Sequence, residues 1–463
     1  MKTRTTSFLP WALLPGIWAL AWPTMLEELL DTAVQYIDTA MVGRLGTAAT
    51  AAVGATTTVN WLVGTTIHAV GVGFLAFISQ AKGGKRVEEM KRASAQTVLM
   101  ALVLGLFFTA VTLGLSPFVP VWMQVAPELR ALSSSYFFIL YTPMLFRAAT
   151  ILFGTVLRAS GDTRTPMRIG LLVNAVNVTL NFFFIYPTRE VSLFGRSFTV
   201  FGLGLGVQGA AAASAAAFAL GGILTTVAFL QNPEVSPRGY PIKPDGEILR
   251  PCLKVALPNA LQRFGTSLGY VVFASLVNAV GAVATAAHTV ANTVESAFYV
   301  PGYGMQTAAA TLTGNAYGAG ETQKLPPLKR MLLALEVGLM ILSGGALFLF
   351  APQLIGFFSK DPEVVALAAV VLRMVAVSEP FYGVSIIIEG MLQGLGKTKF
   401  PFVVNILGMW GVRIFGTFIV TRVFSFGLVG AWACMIAHNL LLFAVFSAYF
   451  PRCVKRLSVR RES

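Results

Sequence analysis

Carboxylates are scarce in this chain, and eight of its 20 Asp and Glu residues fall inside long apolar runs. They are Glu27, Glu28, Asp31, Asp38, Glu295, Glu336, Glu379 and Glu389. A charged side chain at the centre of a bilayer costs roughly 2.5–3.5 kcal/mol on insertion scales, so it persists where it lines a polar route or exchanges ions. Four of the eight sit in the first run. At about 100° per residue, Glu27, Asp31 and Asp38 share one helical face to within about 40°. Gln35 lies close to that face. Such a stripe suits binding of protons, sodium or an organic cation. The fifth run carries amides instead. Asn174, Asn177 and Asn181 recur at helical spacing on one face. That face serves hydrogen bonding between helices as well as contact with a ligand. Tyr36, Tyr136, Tyr299 and Tyr303 have the rings to stack on an aromatic cation, or to pack and anchor at the interface. Glu379 has Arg373, or another arginine within the spans, as an ion-pair partner. Glu336 and Glu389 fall where span edges are soft and an interface is near. His288, in an Ala-rich turn, reads as a helix contact.

What must position these groups follows from composition. The chain is 56% hydrophobic and 12% charged, with a mean hydropathy of +0.72. A soluble protein carries roughly 25% charged residues. A soluble globule of this length has no way to hide so much apolar surface, whereas lipid is a natural solvent for it. Twelve runs are long enough to span, near 16–40, 52–80, 93–117, 133–157, 167–187, 203–230, 250–277, 284–316, 328–350, 364–392, 400–422 and 427–450. Pro23, Pro143, Pro258, Pro301 and Pro380 fall within runs, as in kinked membrane helices. Cys252, Cys434 and Cys453 form no CxxC or Cys/His cluster, so neither a disulfide framework nor a zinc site is indicated. The formal charge of +14 sits in short loops and gives no reason to expect nucleic acid. No cleavable signal is expected, because the first apolar stretch is long and lacks a small-residue cleavage site.

The basic residues orient the chain. Of 34 Lys and Arg, 24 fall on the side of the N-terminus, 6 on the other, and Arg147, Arg263, Arg373 and Arg413 lie within spans. This bias predicts cytoplasmic termini and an even number of spans. The chain also repeats itself. At an offset of 235, Pro23 matches Pro258, Gly46 matches Gly281, and Thr50-Ala51-Ala52 matches Thr285-Ala286-Ala287. Leu157, Gly161, Thr163 and Pro166 match Leu392, Gly396, Thr398 and Pro401 at the same offset. Gly209-Ala210 pairs with Gly430-Ala431 at 221, so the first half carries 14 extra residues around Arg189–Phe201. The expected architecture is all-α and polytopic: twelve spans in two six-helix lobes of like orientation. The lobes are expected at 1–230 and 250–463, the latter ending in a basic tail, joined by a Pro-rich cytoplasmic linker at 231–249.

An energy source is the next question. Ala81-Lys82-Gly83-Gly84-Lys85 lacks the GxxxxGK[ST] pattern of a phosphate-binding loop. No nucleophile–base arrangement points to an enzyme. Transport driven by an ion gradient remains, without a cofactor.

Longer motifs now become recognisable. Ile37-Asp38-Thr39-Ala40-Met41-Val42-Gly43-Arg44-Leu45-Gly46 is close to VDTxMVGRLG. Leu157-Arg158-Ala159-Ser160-Gly161-Asp162-Thr163-Arg164-Thr165-Pro166 is close to LRGxGDTxTP. Gly206-Val207-Gln208-Gly209-Ala210-Ala211, Ala286-Ala287-His288 and Pro301-Gly302-Tyr303-Gly304 also match. End to end, the chain resembles the multidrug and toxic compound extrusion (MATE) family. The resemblance implies two lobes forming a V and cation-coupled efflux of small organic, cationic or amphipathic compounds. It aligns Asp38 with the first-span aspartate implicated in coupling and Asn177 with the asparagine of the fifth-span motif. Departures are visible. Asn181 stands where the DinF-type branch has aspartate. Thr266 and Tyr382 stand where the NorM-type branch has its second-lobe acids, with Glu295 and Glu379 as substitutes.

The resulting expectation has Asp38, Asp31, Glu28, Asn177 and Asn181 coupling to H+, or to Na+ at Asp38, Asn177 and Asn181, with protons preferred. Glu27, Gln35, Tyr36, Tyr136, Asn174, Glu295, Tyr299 and Glu379 are expected to line the substrate cavity. The expected setting is a monomer in the lipid bilayer of the plasma membrane, the inner membrane of a bacterium. The rival reading is a flippase for a lipid-linked or polyanionic cargo, which the four arginines within spans would serve.

Overall fold

The computed structural model describes residues 10–193 and 196–462. In chain order the helices are α1 (Leu14–Gly43), α2 (Thr47–Gly83), α3 (Val87–Leu115), the short α4 (Val119–Trp122), α5 (Arg130–Tyr141), α6 (Met144–Ala159) and α7 (Arg164–Phe184). A hairpin of β1 (Pro187–Leu193) and β2 (Arg196–Leu203) follows. Next come α8 (Gly206–Gln231), α9 (Gly246–Asn278), α10 (Ala282–Gly318), α11 (Leu325–Gly356) and α12 (Pro362–Gly394). The last two spans are α13 (Lys399–Leu407) with α14 (Gly416–Arg422), joined by a π-helical segment, Gly408–Phe415, and α15 (Gly427–Glu462).

Each of the twelve apolar runs becomes one long helix or one interrupted helix. The fourth is α5 and α6, bent by 47° where Pro143 interrupts the ladder. Pro23, Pro258, Pro301 and Pro380 lie inside continuous helices. By length and composition, eight described helices are apolar enough to cross a membrane alone, and the bent pair makes a ninth. Outside that set are α1, α9 and α10, which carry Glu27, Glu28, Asp31 and Asp38; Asn259, Gln262 and Arg263; and His288 and Glu295. The least apolar spans are therefore those holding most of the candidate groups.

The chain divides into two compact units: Leu29–Phe74 with Val87–Arg250, and Met1–Glu28 with Leu75–Arg86 and Pro251–Ser463. In the first, α6 and α8 pack closely because Gly222 faces the Phe146 backbone, where a Cβ would come within 2.6 Å of Cα. Small residues at such crossings let helix backbones approach. Phe153 and Phe229 stack at 4.6 Å across the same pair. A smaller cluster of Val42, Ala49, Ile185, Val207 and Ala210 closes the ends of α1, α7 and α8. Tyr186 fixes that end by donating to the Met41 carbonyl at 2.9 Å.

In the second unit one core joins Ile17 and Ala21 of α1 to Met305, Leu328, Met331, Ile388 and Phe446. Another joins Phe273, Val294, Leu347, Leu372 and Trp432. Gly304 sits against the α1 backbone, and Thr24 donates to its carbonyl at 2.8 Å.

The internal repeat is visible in the turns. After α6, Asp162 N donates to Leu157 O at 3.0 Å and Gly161 has φ +90°. After α12, Lys397 N donates to Leu392 O at 2.8 Å and Gly396 has φ +69°. These six-to-one bonds with a left-handed glycine are the Schellman stop, which satisfies terminal carbonyls and favours glycine because it has no Cβ. Donor, acceptor and glycine each recur 235 residues on. The 14 extra residues of the first half fall in the β1–β2 hairpin, the one departure from helical structure among the described spans and loops that forms a sheet.

Candidate functional site

The acidic stripe of α1 and the amide stripe of α7 meet. Asn174 Nδ2 donates to Asp31 Oδ1 at 2.7 Å, and Asn181 Nδ2 donates to Asp38 Oδ1 at 2.6 Å. Both pairs are 143 residues apart and lie two helical turns from one another, so α1 and α7 run in register. Hydrogen bonds to a carboxylate are the strong kind, worth about twice a neutral one. Asn177 sits between the rungs, 5% exposed, with contacts of 3.2 Å to both Asn181 and Ser214. With its amide nitrogen turned toward α1, it donates to Asp38 Oδ1 at 2.9 Å and accepts from the Ser214 hydroxyl at 3.2 Å. That orientation gives Asp38 two amide donors and pairs the Asn177 oxygen with a hydroxyl. Asn181 Oδ1 is buried without a partner among the described residues. Carboxylate and amide oxygens are the hard donors that suit an alkali cation, and the same carboxylate also accepts a proton.

The surroundings grade from exposed to buried. Asp31, Gln35 and Tyr36 are exposed on α1, while Asp38 is half-buried. Tyr136, on α5, lies within electrostatic reach of Asp38 and of Arg147. Arg147 is held by Asn60, whose Oδ1 accepts from Nη1 at 2.6 Å and from the Tyr141 hydroxyl at 3.2 Å. Its guanidinium rests 4.9 Å from the Phe218 ring centroid. Asp31, Asp38, Tyr136, Asn174, Asn177 and Asn181 thus stand together in one unit. Glu27 and Glu28 belong to the other unit, as do Glu295, Tyr299 and Glu379.

That second unit buries three acids on three successive helices: Glu295 of α10, Glu336 of α11 and Glu379 of α12 are 5%, 0% and 1% exposed. Glu379 is within electrostatic reach of the other two. The carboxylates of Glu336 and Glu379 have no hydrogen-bond partner among the described residues. Glu336 is buried in the protein, where Gly302 and Gly383 leave the space its side chain fills. Arg373 does not pair with Glu379. It donates to the Phe348 carbonyl at 3.3 Å, and six residues of helix put the two side chains on different faces. Tyr299 stands edge-on to Tyr303 and Tyr382, with centroids at 5.9 and 5.7 Å, and the Tyr303 and Tyr382 hydroxyls are 2.9 Å apart. His288 is the helix contact expected of it, accepting from Trp432 Nε1 at 3.3 Å.

Sequence reasoning missed the setting of Glu389. Gln262 and Gln393 approach its Oε1 at 2.8 and 3.4 Å, and Asn405 approaches Oε2 at 3.3 Å. Three amides from α9, α12 and α13 make a cage for one carboxylate. The available signal was Gln393, one helical turn after Glu389; Gln262 and Asn405 lie on other helices, and nothing in the sequence connects them to it.

Comparison with known proteins fits this arrangement. The MatE family model matches residues 23–183 and again 258–419, the two halves of the internal repeat. The chain is 28% identical to the probable multidrug resistance protein NorM of Thermotoga maritima, over 90% of this chain and 88% of that one. It is 24% identical to the probable multidrug resistance protein YoeA of Bacillus subtilis, over 95% and 94%. Among solved structures, a MATE protein in complex with MaD3S superposes with a TM-score of 0.88 at 22% identity, covering 96% of each chain. A MOP superfamily transporter from Pyrococcus furiosus superposes with a TM-score of 0.87 at 23% identity, with the same coverage. With its family match over both halves and its membrane helices in the same fold, this chain belongs to the MatE family, the multidrug and toxic compound extrusion transporters.

Proposed function

We propose that this transporter is a cation-coupled antiporter that exports small organic compounds, cationic or amphipathic, by alternating access. The observation that carries the reading is the carboxylate of Asp38 held by Asn181 and Asn177, with Asp31 held by Asn174 two turns away. A carboxylate in a span, fixed by donors and still partly exposed, has one negative charge to offer. A cationic substrate and a coupling ion then compete for it, and exchange follows from that competition. The relatives named as multidrug resistance proteins support a broad organic substrate class. The coupling ion in this proposal is H+, with Na+ as the alternative that the oxygen donors of Asp38, Asn177 and Asn181 also suit. No cofactor enters, and a monomer in the bilayer is sufficient. The Lys and Arg bias favours cytoplasmic termini, and a bacterial inner membrane is the proposed location. A flippase for polyanionic cargo is disfavoured, because Arg147 and Arg413 are engaged by protein side chains.

The test uses proteoliposomes loaded with a fluorescent organic cation, with proton and sodium gradients imposed separately on wild type and Asp38→Asn. Movement driven by one gradient and abolished in the variant is expected. Movement that persists unchanged in Asp38→Asn would remove Asp38 from the exchange step. No movement under either gradient would shift the substrate class toward lipid-linked cargo.

A further inference from the structure

The last helix, α15, is longer than the bilayer it crosses. Its 36 residues make about 54 Å of helix, against about 30 Å of hydrocarbon. The charges mark the end that projects. From Gly427 to Pro451 there is no Lys, Arg, Asp or Glu, and Arg452, Lys455 and Arg456 follow directly. The projecting turns do not stand free. Cys453, Val454 and Leu457 are buried in the core that also holds Leu325, Leu328 and Leu395. That docking fixes which way the remaining side chains face. Arg452 and Arg456, one turn apart, are exposed on one flank.

A third cation reaches the same place from another element. Lys397, in the turn between α12 and α13, lies within electrostatic reach of Cys453, as does Arg456. Arg456 also reaches Tyr449, two turns back, whose ring stacks on Phe400 with centroids 3.5 Å apart and planes 9° apart. Cys453 and Tyr449 thus mark a common point for Lys397, Arg456 and an aromatic pair. Amphipathic rings such as that of Tyr449 favour the headgroup level of a membrane. None of Lys397, Arg452 and Arg456 has an ion pair among the described residues, and Glu321, before α11, is taken by Lys324 at 2.8 Å. A helix C-terminus favours basic residues of its own. That accounts for part of the α15 charge and not for Lys397, which comes from a separate turn.

We propose that this flank of α15, with the turn between α12 and α13, binds the headgroup of an anionic phospholipid. The lipid phosphate sits among Lys397, Arg452 and Arg456, the arginines offering the planar fork that matches phosphate oxygens. The Phe400–Tyr449 pair lies on the side of the span, where glycerol and acyl chains begin. The patch starts where the apolar run of α15 ends, so a lipid reaches it without leaving the bilayer. Its phosphate offsets the repulsion between two like charges one turn apart and ties the end of α15 to the turn. The proposal does not depend on which substrate or ion the transporter moves.

The full-length protein in a neutral detergent is titrated with phosphatidylglycerol or with phosphatidylcholine of the same acyl chains while its thermal unfolding midpoint is read. A ligand that binds the folded state raises that midpoint saturably. Phosphatidylglycerol should do so and phosphatidylcholine should not. Each basic group near an anionic lipid surface is worth about a factor of five, so Arg452→Gln with Arg456→Gln should weaken the apparent affinity roughly 25-fold. Arg238→Gln with Lys243→Gln removes the same charge from exposed linker positions and should titrate as wild type. If the arginine double variant does not fold, Lys397→Gln carries the comparison, with a loss of about fivefold. An equal response to the two lipids, the same response to inorganic phosphate, or an equal loss in the linker variant would overturn the proposal.

Discussion

Replacing Asn181 by leucine removes the shortest donor to Asp38, at 2.6 Å, while keeping the number and branching of side-chain heavy atoms at a position 1% exposed. Leucine also removes Asn181 Oδ1, an atom without a partner, so no buried oxygen is newly orphaned on that side chain. A hydrogen bond to a charged group contributes about 1.5–3 kcal/mol, and each 1.4 kcal/mol is a factor of ten, so binding that needs charged Asp38 should weaken roughly 10- to 150-fold. Asn177 retains its 2.9 Å approach to Asp38 in the turned orientation, which places the effect nearer the lower bound. The assay is equilibrium binding of a fluorescent organic cation to purified protein. Asn174→Leu, at the exposed Asp31 rung, should weaken binding less, because water replaces the lost donor there. If Asn181→Leu binds within about twofold of wild type while Asp38→Asn does not bind, the amide does not act through the carboxylate.

Gly304→Ala should destabilise by about 1–3 kcal/mol, since its Cβ would lie 2.5 Å from Met25 N and only backbone movement relieves that contact. Gly302→Ala should be milder, because its Cβ meets the ends of Glu336 and Met340 side chains; thermal unfolding of the two variants ranks them. Gln262→Leu removes the 2.8 Å donor to Glu389 and should lower stability by about 1–3 kcal/mol, read the same way. In the linker, Arg92 clasps Asp245 through Nε and Nη2 at 3.0 and 2.6 Å and holds its carboxyl below the usual aspartate range. A depressed folded value means the clasp is fully present above the ordinary aspartate range and is lost as pH falls through the depressed value. A spin label at the exposed Ile242 should gain mobility across that acid window, with a clasp energy of about 0.2–1 kcal/mol, and Arg92→Ala should abolish the transition.

Nine of the spans were legible from length and apolarity, α1, α9 and α10 being more polar than that measure allows, and the stops because Gly161 and Gly396 keep their chemistry at a fixed offset. The α1–α7 pairing was half legible. Helical spacing put Asp31 with Asp38 and Asn174 with Asn181 on their own faces, but which face meets which is a tertiary fact. The rest was hidden for the same reason. The burial of Glu336 was hidden because the sequence does not say that Gly302 and Gly383 open a space for it. Arg373 looked like a partner for Glu379 because proximity in sequence is not proximity on a helix. The amide cage of Glu389 leaves a periodic trace only in Gln393, one turn on; Gln262 and Asn405 come from other helices. The π-turn at Gly408–Phe415 is a backbone choice that an apolar run does not encode locally.

The paired stops after α6 and α12 bear on how such a chain diversifies. A duplicated gene begins with two identical lobes, and here the copies still end corresponding helices with the same donor, acceptor and left-handed glycine. Elsewhere they have parted: α1 holds Asp31 and Asp38 where α9 has Thr266 and Phe273 at the same offset, and α7 holds Asn174 and Asn181 where the eleventh span has Met409 and Gly416. The inherited frame tolerates this drift because a Schellman stop is made by backbone and one glycine, and asks little of the side chains that follow. Chemistry was free to settle in one copy without unmaking the scaffold of the other.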